Sequence, residues 1–181
     1  MSALTVRCGA VAAGLLLDRL AGEPPPEAHP VAWFGRMMEW LEARLWADSR
    51  WRGIVYVATG LALGMVAGRV LRSTATAVSL SVAGRQLRRI SVDVGEAAAS
   101  GDLERARAEL PALVGRDPTS LDTSGVAAAV IESVAENSVD AVIAPAFWAV
   151  VAGAPGALAY RAINTMDAMV GHRNDRYHRF G

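Results

Sequence analysis

Two stretches without a charged residue, 53–68 and 141–160, limit the folds that are open to this chain. A sixteen-residue helix over the first stretch would be about 24 Å long, somewhat less than the hydrocarbon core of a bilayer. This stretch carries Gly60, Gly64 and Gly68, which form two overlapping G-x-x-x-G steps. Such steps weaken a helix in water but let two helices approach closely in lipid. We therefore expect a membrane-spanning helix here that packs tightly against another helix.

The second stretch is twenty residues long, which is about the length needed to cross a bilayer. Pro145 and Pro155 interrupt it, so we expect a kinked or re-entrant helix. Residues 8–17 form a shorter uncharged run. We expect it to be a buried or membrane-inserted helix, and the alternative is the core of a signal peptide. No segment shows the two-residue period of a strand, so the predicted fold is all-α: a polytopic helical membrane protein forming a single domain over 1–181.

Segment 72–125 has a different character, because charged residues return in it. Asp102 is placed to cap a short helix that Pro111 ends, and two charged pairs within that helix have the spacing of surface neighbours. We expect this segment to form helices that face water. Residues 33–46 have helical periodicity and several tryptophans beside arginines. They are consistent with a helix at a membrane interface or with an ordinary amphipathic helix.

The charged residues exclude several kinds of site. Eighteen basic residues balance eighteen acidic ones, so the chain has no basic excess of the kind that binds nucleic acid. Every basic residue is arginine, which excludes a P-loop lysine and a Schiff-base lysine. The single cysteine, Cys8, cannot form an internal disulfide or a thiolate metal cluster.

A row of carboxylates is the most informative chemical feature. Glu132, Glu136 and Asp140 are spaced four residues apart, so on a helix they lie within a stripe roughly 80° wide. Carboxylates together with the amide of Asn137 offer the hard oxygen ligands that Mg²⁺ prefers. The alternative is that the row is simply the solvated face of an amphipathic helix.

A second polar group follows the long uncharged stretch. Asn164, Asp167, Gly171 and Asn174 would share one face if the helix continues that far, and a binding pocket could open there at the membrane edge. The alternative is a polar helix end, in which Arg173 is among the residues favoured by the helix dipole. His29 precedes a proline in the proline-rich segment 22–30, where turn residues are common.

Four strings resemble one protein family, the adenosylcobinamide-phosphate synthase or CobD/CbiB family of cobalamin biosynthesis. Together they extend over residues 17–181, and the blocks E-x-x-x-E-N-x-x-D and N-T-x-D-x-M-x-G are the specific ones. The strings are DRLAGEPPPEAHPVAWFGR, LVGRDPTSLD, AVIESVAENSVDAVIAPAFW and GALAYRAINTMDAMVGHRNDRYHRFG.

The resemblance implies an amide-forming ligase, with ATP as co-substrate and Mg²⁺ as cofactor. It would join adenosylcobyric acid to aminopropanol or aminopropanol phosphate and give adenosylcobinamide or its phosphate. It also implies a multi-pass protein of the bacterial cytoplasmic membrane, in contact with lipid, forming either homo-oligomers or contacts with other corrinoid-assembly enzymes. Members of the family are longer, so we expect further helices beyond Gly181 and no activity from this N-terminal piece alone.

The resemblance also supplies candidate residues. The carboxylates of the row are assigned to catalysis and to metal binding, and Asp117 and Asp167 are further metal candidates. Residues assigned to substrate binding are His29, Arg116, Asn137, Asn164, Arg173 and Asn174. The rival hypothesis is a non-enzymatic membrane protein that binds or transports a small molecule, since transporters often place carboxylates in membrane cavities.

Overall fold

A computed structural model describes residues 2–22, 24–25, 27–114 and 118–181. Helices account for 79% of the structure, and the described residues contain no strand, so the all-α prediction is confirmed. The helices are α1 (Ala3–Ala21), α2 (Pro30–Leu45), α3 (Arg50–Leu71), α4 (Thr74–Ser81), α5 (Gly84–Ala99), α6 (Leu103–Glu109), α7 (Thr123–Ser138) and α8 (Ala144–Val170). A 3₁₀ turn, Leu110–Ala112, follows α6, and a π-helical turn, Val139–Ile143, joins α7 to α8.

Short polar side chains begin several of these helices, and the cap at Asp102 is the one that the sequence predicts. The Asp102 carboxylate accepts a hydrogen bond from the Arg105 N–H at 3.0 Å, and this cap starts α6. Both predicted charged pairs form on α6, each at 2.8 Å: Arg105 with Glu109, and Arg107 with Glu104. Exposed pairs of this kind contribute little to stability, so α6 depends mainly on packing against α5 and α7.

The chain reverses direction within α8 at Gly153. This residue has φ 67° and ψ −151°, a conformation that glycine adopts readily and other residues do not. In a continuous helix, residues 140 and 160 would lie about 30 Å apart. Instead, the Tyr160 hydroxyl donates a hydrogen bond to the Asp140 carboxylate at 3.2 Å, so the two arms of α8 lie side by side. The predicted kink in 141–160 is therefore confirmed, and re-entry of this segment into a membrane stays a prediction.

Helix α3 packs against the second arm of α8 along its glycines. A Cβ atom added to Gly64 would lie 2.7 Å from the Leu158 carbonyl oxygen and 3.0 Å from the Ala162 Cβ. A Cβ atom added to Gly60 would likewise clash with the Met166 side chain, and one added to Gly68 would clash with the Pro155 backbone. The predicted close approach of two helices is confirmed, and the missing side chains are what allow it.

Three separate cores hold the helices together. The first joins α1, α4 and both arms of α8, and the second lies between α5, α6 and α7. The third joins α2, α3, the end of α8 and the C-terminal residues. Uncharged α4 is packed into the first core, whereas the charged pairs of the predicted water-facing segment lie on α5 and α6. That α5 and α6 face water stays a prediction.

Large apolar side chains are exposed on several helices. Two helical stretches, Arg50–Leu71 and Thr123–Val170, are long and apolar enough to cross a membrane, although the second one reverses at Gly153. On α2, Trp33, Met37 and Trp40 are exposed while Met38 on the opposite face is buried. Exposed apolar faces of this extent indicate contact with lipid or with a partner helix.

The C-terminal residues 171–181 fold back onto α2 and α3 instead of extending α8. The predicted common face of Asn164, Asp167, Gly171 and Asn174 required the helix to continue to Asn174. Helix α8 ends at Val170, so Gly171 and Asn174 do not share that face. The buried Glu42 carboxylate accepts hydrogen bonds from the Arg176 guanidinium at 3.0 Å and from the Tyr177 hydroxyl at 2.8 Å. Partial burial and the bond to Glu42 raise the pKa of Tyr177, which keeps its phenol protonated as a donor.

The first prediction tests the packing of α3. In the full-length protein, Gly64→Leu should destabilise the fold by about 2 kcal/mol or more, because the new side chain meets the backbone of α8. Thermal unfolding in detergent measures this change. Gly9→Leu is the matched control, since the Gly9 position on α1 is exposed with open space around it. Equal unfolding midpoints for the two variants would contradict the close contact.

The second prediction concerns the anchor of the C-terminal residues. Glu42→Gln removes the charge that Arg176 and Tyr177 share, and we expect a loss of about 1 kcal/mol, because the Arg176 side chain is itself half-exposed. Limited proteolysis after Arg176 or Arg179 should become faster. Glu39→Gln, on an exposed position of the same helix, is the control and should leave both measurements unchanged. Unaltered proteolysis of the Glu42→Gln protein would show that the anchor lies elsewhere.

Candidate functional site

The carboxylate row begins on α7 and ends in the π-helical turn. Glu132 and Glu136 are exposed, and Asp140 is half-buried. The predicted stripe is therefore present on one side of the helix, and its last member lies where the helix widens. Isolated π-helical turns inside α-helices are rare and are frequent at functional sites.

Asn137 has a structural role in this arrangement. Its amide donates hydrogen bonds to the carbonyl oxygen and the hydroxyl of Ser133, both at 2.9 Å. The buried Ser133 hydroxyl in turn donates to the Leu113 carbonyl oxygen at 2.6 Å. Ser133 thus joins α7 to the end of the 3₁₀ turn and Asn137 hydrogen-bonds to Ser133, while the role of Asn137 in substrate binding stays a prediction.

Asp140 connects the row to the second arm of α8. Its partner Tyr160 lies one and two helical turns before Asn164 and Asp167, so these three side chains share one face of the arm. Asn164 is half-buried and Asp167 is exposed. The reversal at Gly153 therefore joins Asp140, the last residue of the first specific block, to Tyr160, which lies one helical turn before the second block begins at Asn164.

The acidic residues do not form a complete metal cage. Within the part of the chain that the structure describes, no three His, Cys, Asp or Glu side chains converge as metal ligands. The donor set that is present, exposed carboxylates and a half-buried one, fits a Mg²⁺ ion that keeps several waters and takes one or two protein carboxylates together with phosphate oxygens. The described residues do not form a cage by themselves.

Arg173 and Asn174 lie away from this contact. Arg116 and Asp117 lie outside the described residues. Arg173 and Asn174 are exposed in the C-terminal turn, beyond the end of α8, which is about 15 Å along the helix from Tyr160. The Asn174 carboxamide oxygen accepts a hydrogen bond from the Tyr177 N–H at 3.0 Å, which stabilises this turn.

A polar cavity of about 780 Å³ opens where the loop after α1 meets α2, α5 and α8. Three arginines from two helices line it: Arg85 and Arg89 from α5, and Arg161 from α8. Arg161 also lines a smaller apolar cavity of about 320 Å³ between α2, α3 and α8. Because Arg161 follows Tyr160 directly, the cavity wall lies beside the residue that holds Asp140.

His29 lines the same cavity and is buried. It caps α2, where its Nδ1 accepts a hydrogen bond from the Val31 N–H at 3.1 Å. Burial and, to a lesser degree, the positive charge of Arg161 lower the pKa of the His29 imidazole. The neutral ring therefore carries its proton on Nε2. His29 is thus a helix N-cap at the end of the proline-rich segment, and its role in substrate binding stays a prediction.

Sequence reasoning missed Tyr160 and Arg161, and it noted Arg85 and Arg89 only as part of a basic cluster. Arg161 had a detectable signal, since it is the one charged residue between Asp140 and Asp167 in an otherwise uncharged run. A charge in such a run indicates a polar partner or cavity. The pairing of Tyr160 with Asp140 had no such signal, because it depends on the chain reversal.

Known proteins resemble this chain over nearly its whole length. It is 42% identical to the cobalamin biosynthesis protein CobD of Mycobacterium tuberculosis (strain CDC 1551 / Oshkosh), over 97% of this chain and 59% of that protein. The CobD proteins of Chromobacterium violaceum and Halalkalibacterium halodurans are 42% and 35% identical, over 92% and 95% of this chain and 59% of each relative. No solved structure matches.

The chain therefore spans about three-fifths of the length of these relatives, and it aligns with their N-terminal part. The family model described as CobD/Cbib protein matches residues 11–181, which include the carboxylate row, the reversal and the arginine-lined cavity. On this match the chain belongs to the CobD/CbiB family.

Proposed function

We propose that the protein to which this chain belongs acts in cobalamin biosynthesis as an ATP-dependent amide ligase. Its substrates would be adenosylcobyric acid and aminopropanol or aminopropanol phosphate, and its product adenosylcobinamide or adenosylcobinamide phosphate. Family membership supports the pathway, because the matching relatives are named cobalamin biosynthesis proteins. The observation that carries the site is the hydrogen bond from Tyr160, one helical turn before the second specific block, to Asp140 at the end of the first.

The proposed chemistry requires activation of a carboxylate, which is a poor electrophile at neutral pH. A carboxylate oxygen of the corrinoid attacks the γ-phosphorus of ATP, so that ADP leaves and an acyl phosphate forms. The amine nitrogen then attacks the acyl carbon, the carbon–oxygen bond to phosphate breaks, and the amine gives up a proton. One ATP is converted to ADP and phosphate for each amide bond formed.

The carboxylate row supplies groups suited to both steps. Glu136 is exposed at the centre of the row, where it would bind Mg²⁺ or accept the proton of the amine. Glu132 and Asp140 lie one helical turn before and after it. Bound Mg²⁺ would neutralise phosphate charge as the phosphoryl group is transferred. Glu136 and Asp140 are the residues best placed to hold it, because they are adjacent members of the row next to the half-buried π-helical turn.

We also propose that the protein is a multi-pass protein of the bacterial cytoplasmic membrane. Two helical stretches of sufficient length and the exposed apolar faces of α1, α2, α3 and α8 support this. The water-soluble substrates would then reach the carboxylate row from the aqueous side. Tryptophans exposed on and just after α2 support its placement at the interface.

The third prediction tests the carboxylate row. In the full-length protein, Glu136→Gln should lower the rate of amidation by about two to three orders of magnitude, because a charge that positions Mg²⁺ or accepts a proton is lost. The assay supplies adenosylcobyric acid, aminopropanol phosphate and MgATP to membranes and follows the amidated corrinoid by mass spectrometry. Stability should change by less than about 0.5 kcal/mol, since Glu136 is exposed.

Glu96→Gln is the matched control, because Glu96 is an exposed glutamate in the last turn of α5. It should leave the rate and the Mg²⁺ dependence unchanged. A Glu136→Gln protein with a normal amidation rate would reject the catalytic role of the row. Absence of amidated product from the wild-type protein, with every substrate supplied, would reject the ligase itself and favour the binding or transport hypothesis.

A further inference from the structure

We propose that the α2–α3 corner, residues 40–52, binds the headgroups of anionic phospholipids at the membrane surface. The corner comprises the last turns of α2, the connection 46–49 and the first turn of α3. This inference rests on the proposed membrane location, and it adds the class of lipid that the protein prefers and the residues that bind it. The ligase reaction has no part in it.

Tryptophans and arginines alternate along the corner. The tryptophans are Trp40, Trp46 and Trp51, whose exposed fractions are 55%, 41% and 71%. The arginines, which are also exposed, are Arg44, Arg50 and Arg52. Indole rings favour the headgroup region of a bilayer, and the long side chain of arginine lets its guanidinium reach the lipid phosphates. The corner therefore combines the two kinds of side chain that are suited to this depth.

The acidic residues of the corner are already paired with arginines from outside it. The Glu42 carboxylate lies 3.0 Å from the Arg176 guanidinium, and the Asp48 carboxylate lies 3.6 Å from that of Arg179. Both partners belong to residues 171–181, which, like the corner, lie wholly within the described residues. Within the described part of the chain, the three arginines of the corner form no ion pair. Their positive charge is therefore available to an anion outside the protein.

Two of the three arginines are held in place by the protein, and the third is not. The Arg44 guanidinium lies 3.5 Å from the centre of the Trp40 ring, and the Arg52 guanidinium donates to the Leu45 carbonyl oxygen at 3.3 Å. Arg50 is the first residue of α3, where the helix dipole disfavours a cation. The stability of α3 therefore does not explain the charge of Arg50, whereas a lipid phosphate beside it does.

The length of α3 places the corner at the depth of the headgroups. Its 22 residues span about 33 Å, slightly more than a hydrocarbon core of about 30 Å. The uncharged run 53–68 follows the first turn directly. When this run lies in the hydrocarbon, the first turn lies at the level of the lipid phosphates. Anionic lipids are favoured there, because the headgroup of phosphatidylcholine carries a cation of its own and that of phosphatidylglycerol does not.

The fourth prediction tests the lipid preference of the corner. Full-length protein, with Trp33, Trp148 and every tryptophan outside 1–181 replaced by phenylalanine, is placed in phosphatidylcholine nanodiscs. The nanodiscs contain equal fractions of either brominated phosphatidylglycerol or brominated phosphatidylcholine. Bromine quenches tryptophan fluorescence at short range, so quenching reports which lipid lies at the corner. We expect phosphatidylglycerol to be preferred by about fivefold or more, since each arginine at the membrane surface strengthens attraction to anionic lipid by about that factor.

Substitutions of Arg50 test whether its charge causes this preference. Arg50→Gln should lower the preference by about threefold or more, and Arg50→Lys should retain it, because the charge remains. Neither variant should shift the unfolding midpoint, since the Arg50 side chain is exposed. Arg88→Gln is the matched control, because Arg88 is an exposed arginine on α5, away from the corner, and it should leave the preference unchanged.

Three results would overturn the inference: equal quenching by the two lipids, an equal loss of preference in the Arg88→Gln protein, and no quenching by either lipid. A second reporter distinguishes the last result from failure of the membrane location. It is Val66→Trp, at an exposed position of α3, in a protein whose own tryptophans are all replaced by phenylalanine. Quenching of this reporter without quenching at the corner would reject this inference alone, and quenching of neither would reject the membrane location as well. Lipid preference in a protein that forms no amide would reject the ligase and leave this inference standing.

Discussion

The reversal at Gly153 is the feature on which the rest of this arrangement depends. A helix that turns back loses carbonyl hydrogen bonds at the turn, and here the Arg7 side chain of α1 donates to the Val151 carbonyl oxygen at 2.6 Å. The cation lies at the C-terminal end of the first arm, where the helix dipole also favours it. One arginine from α1 therefore both stabilises the turn and attaches the first helix to it.

The reversal also places the second arm of α8 between the carboxylate row and α3. On one side of the arm, the Tyr160 hydroxyl donates a hydrogen bond to Asp140. On the other side, the arm packs against the glycines of α3. The close approach at Gly64 leaves little freedom for the arm to slide or rotate. The position of Tyr160, and with it the geometry around Asp140, is thus set by a helix that contributes no polar group to the site.

Features that depend on residues close together in the sequence were predictable from it. The helix caps, the charged pairs of α6, the glycine packing of α3 and the kink in 141–160 all follow from local spacing and residue type. The extent of the helix at 164–174 was not predictable, because the chain leaves α8 after Val170 to reach Glu42. Contacts such as Glu42–Arg176 and Arg85–Asp18 join residues far apart in sequence, and no periodicity encodes them. The same reason hid the cavity as a whole, because its arginines come from two helices that are far apart in sequence.

The cavity has a chemical property that its lining residues determine. Guanidinium groups keep their charge at any physiological pH and are very poor nucleophiles, whereas an unprotonated lysine amine attacks acyl phosphates readily. In this chain of 181 residues, all eighteen side chains of the Lys and Arg type are arginines, because lysine is absent. A reactive acyl group held beside Arg161 would therefore meet positive charge without meeting a lysine amine of this segment.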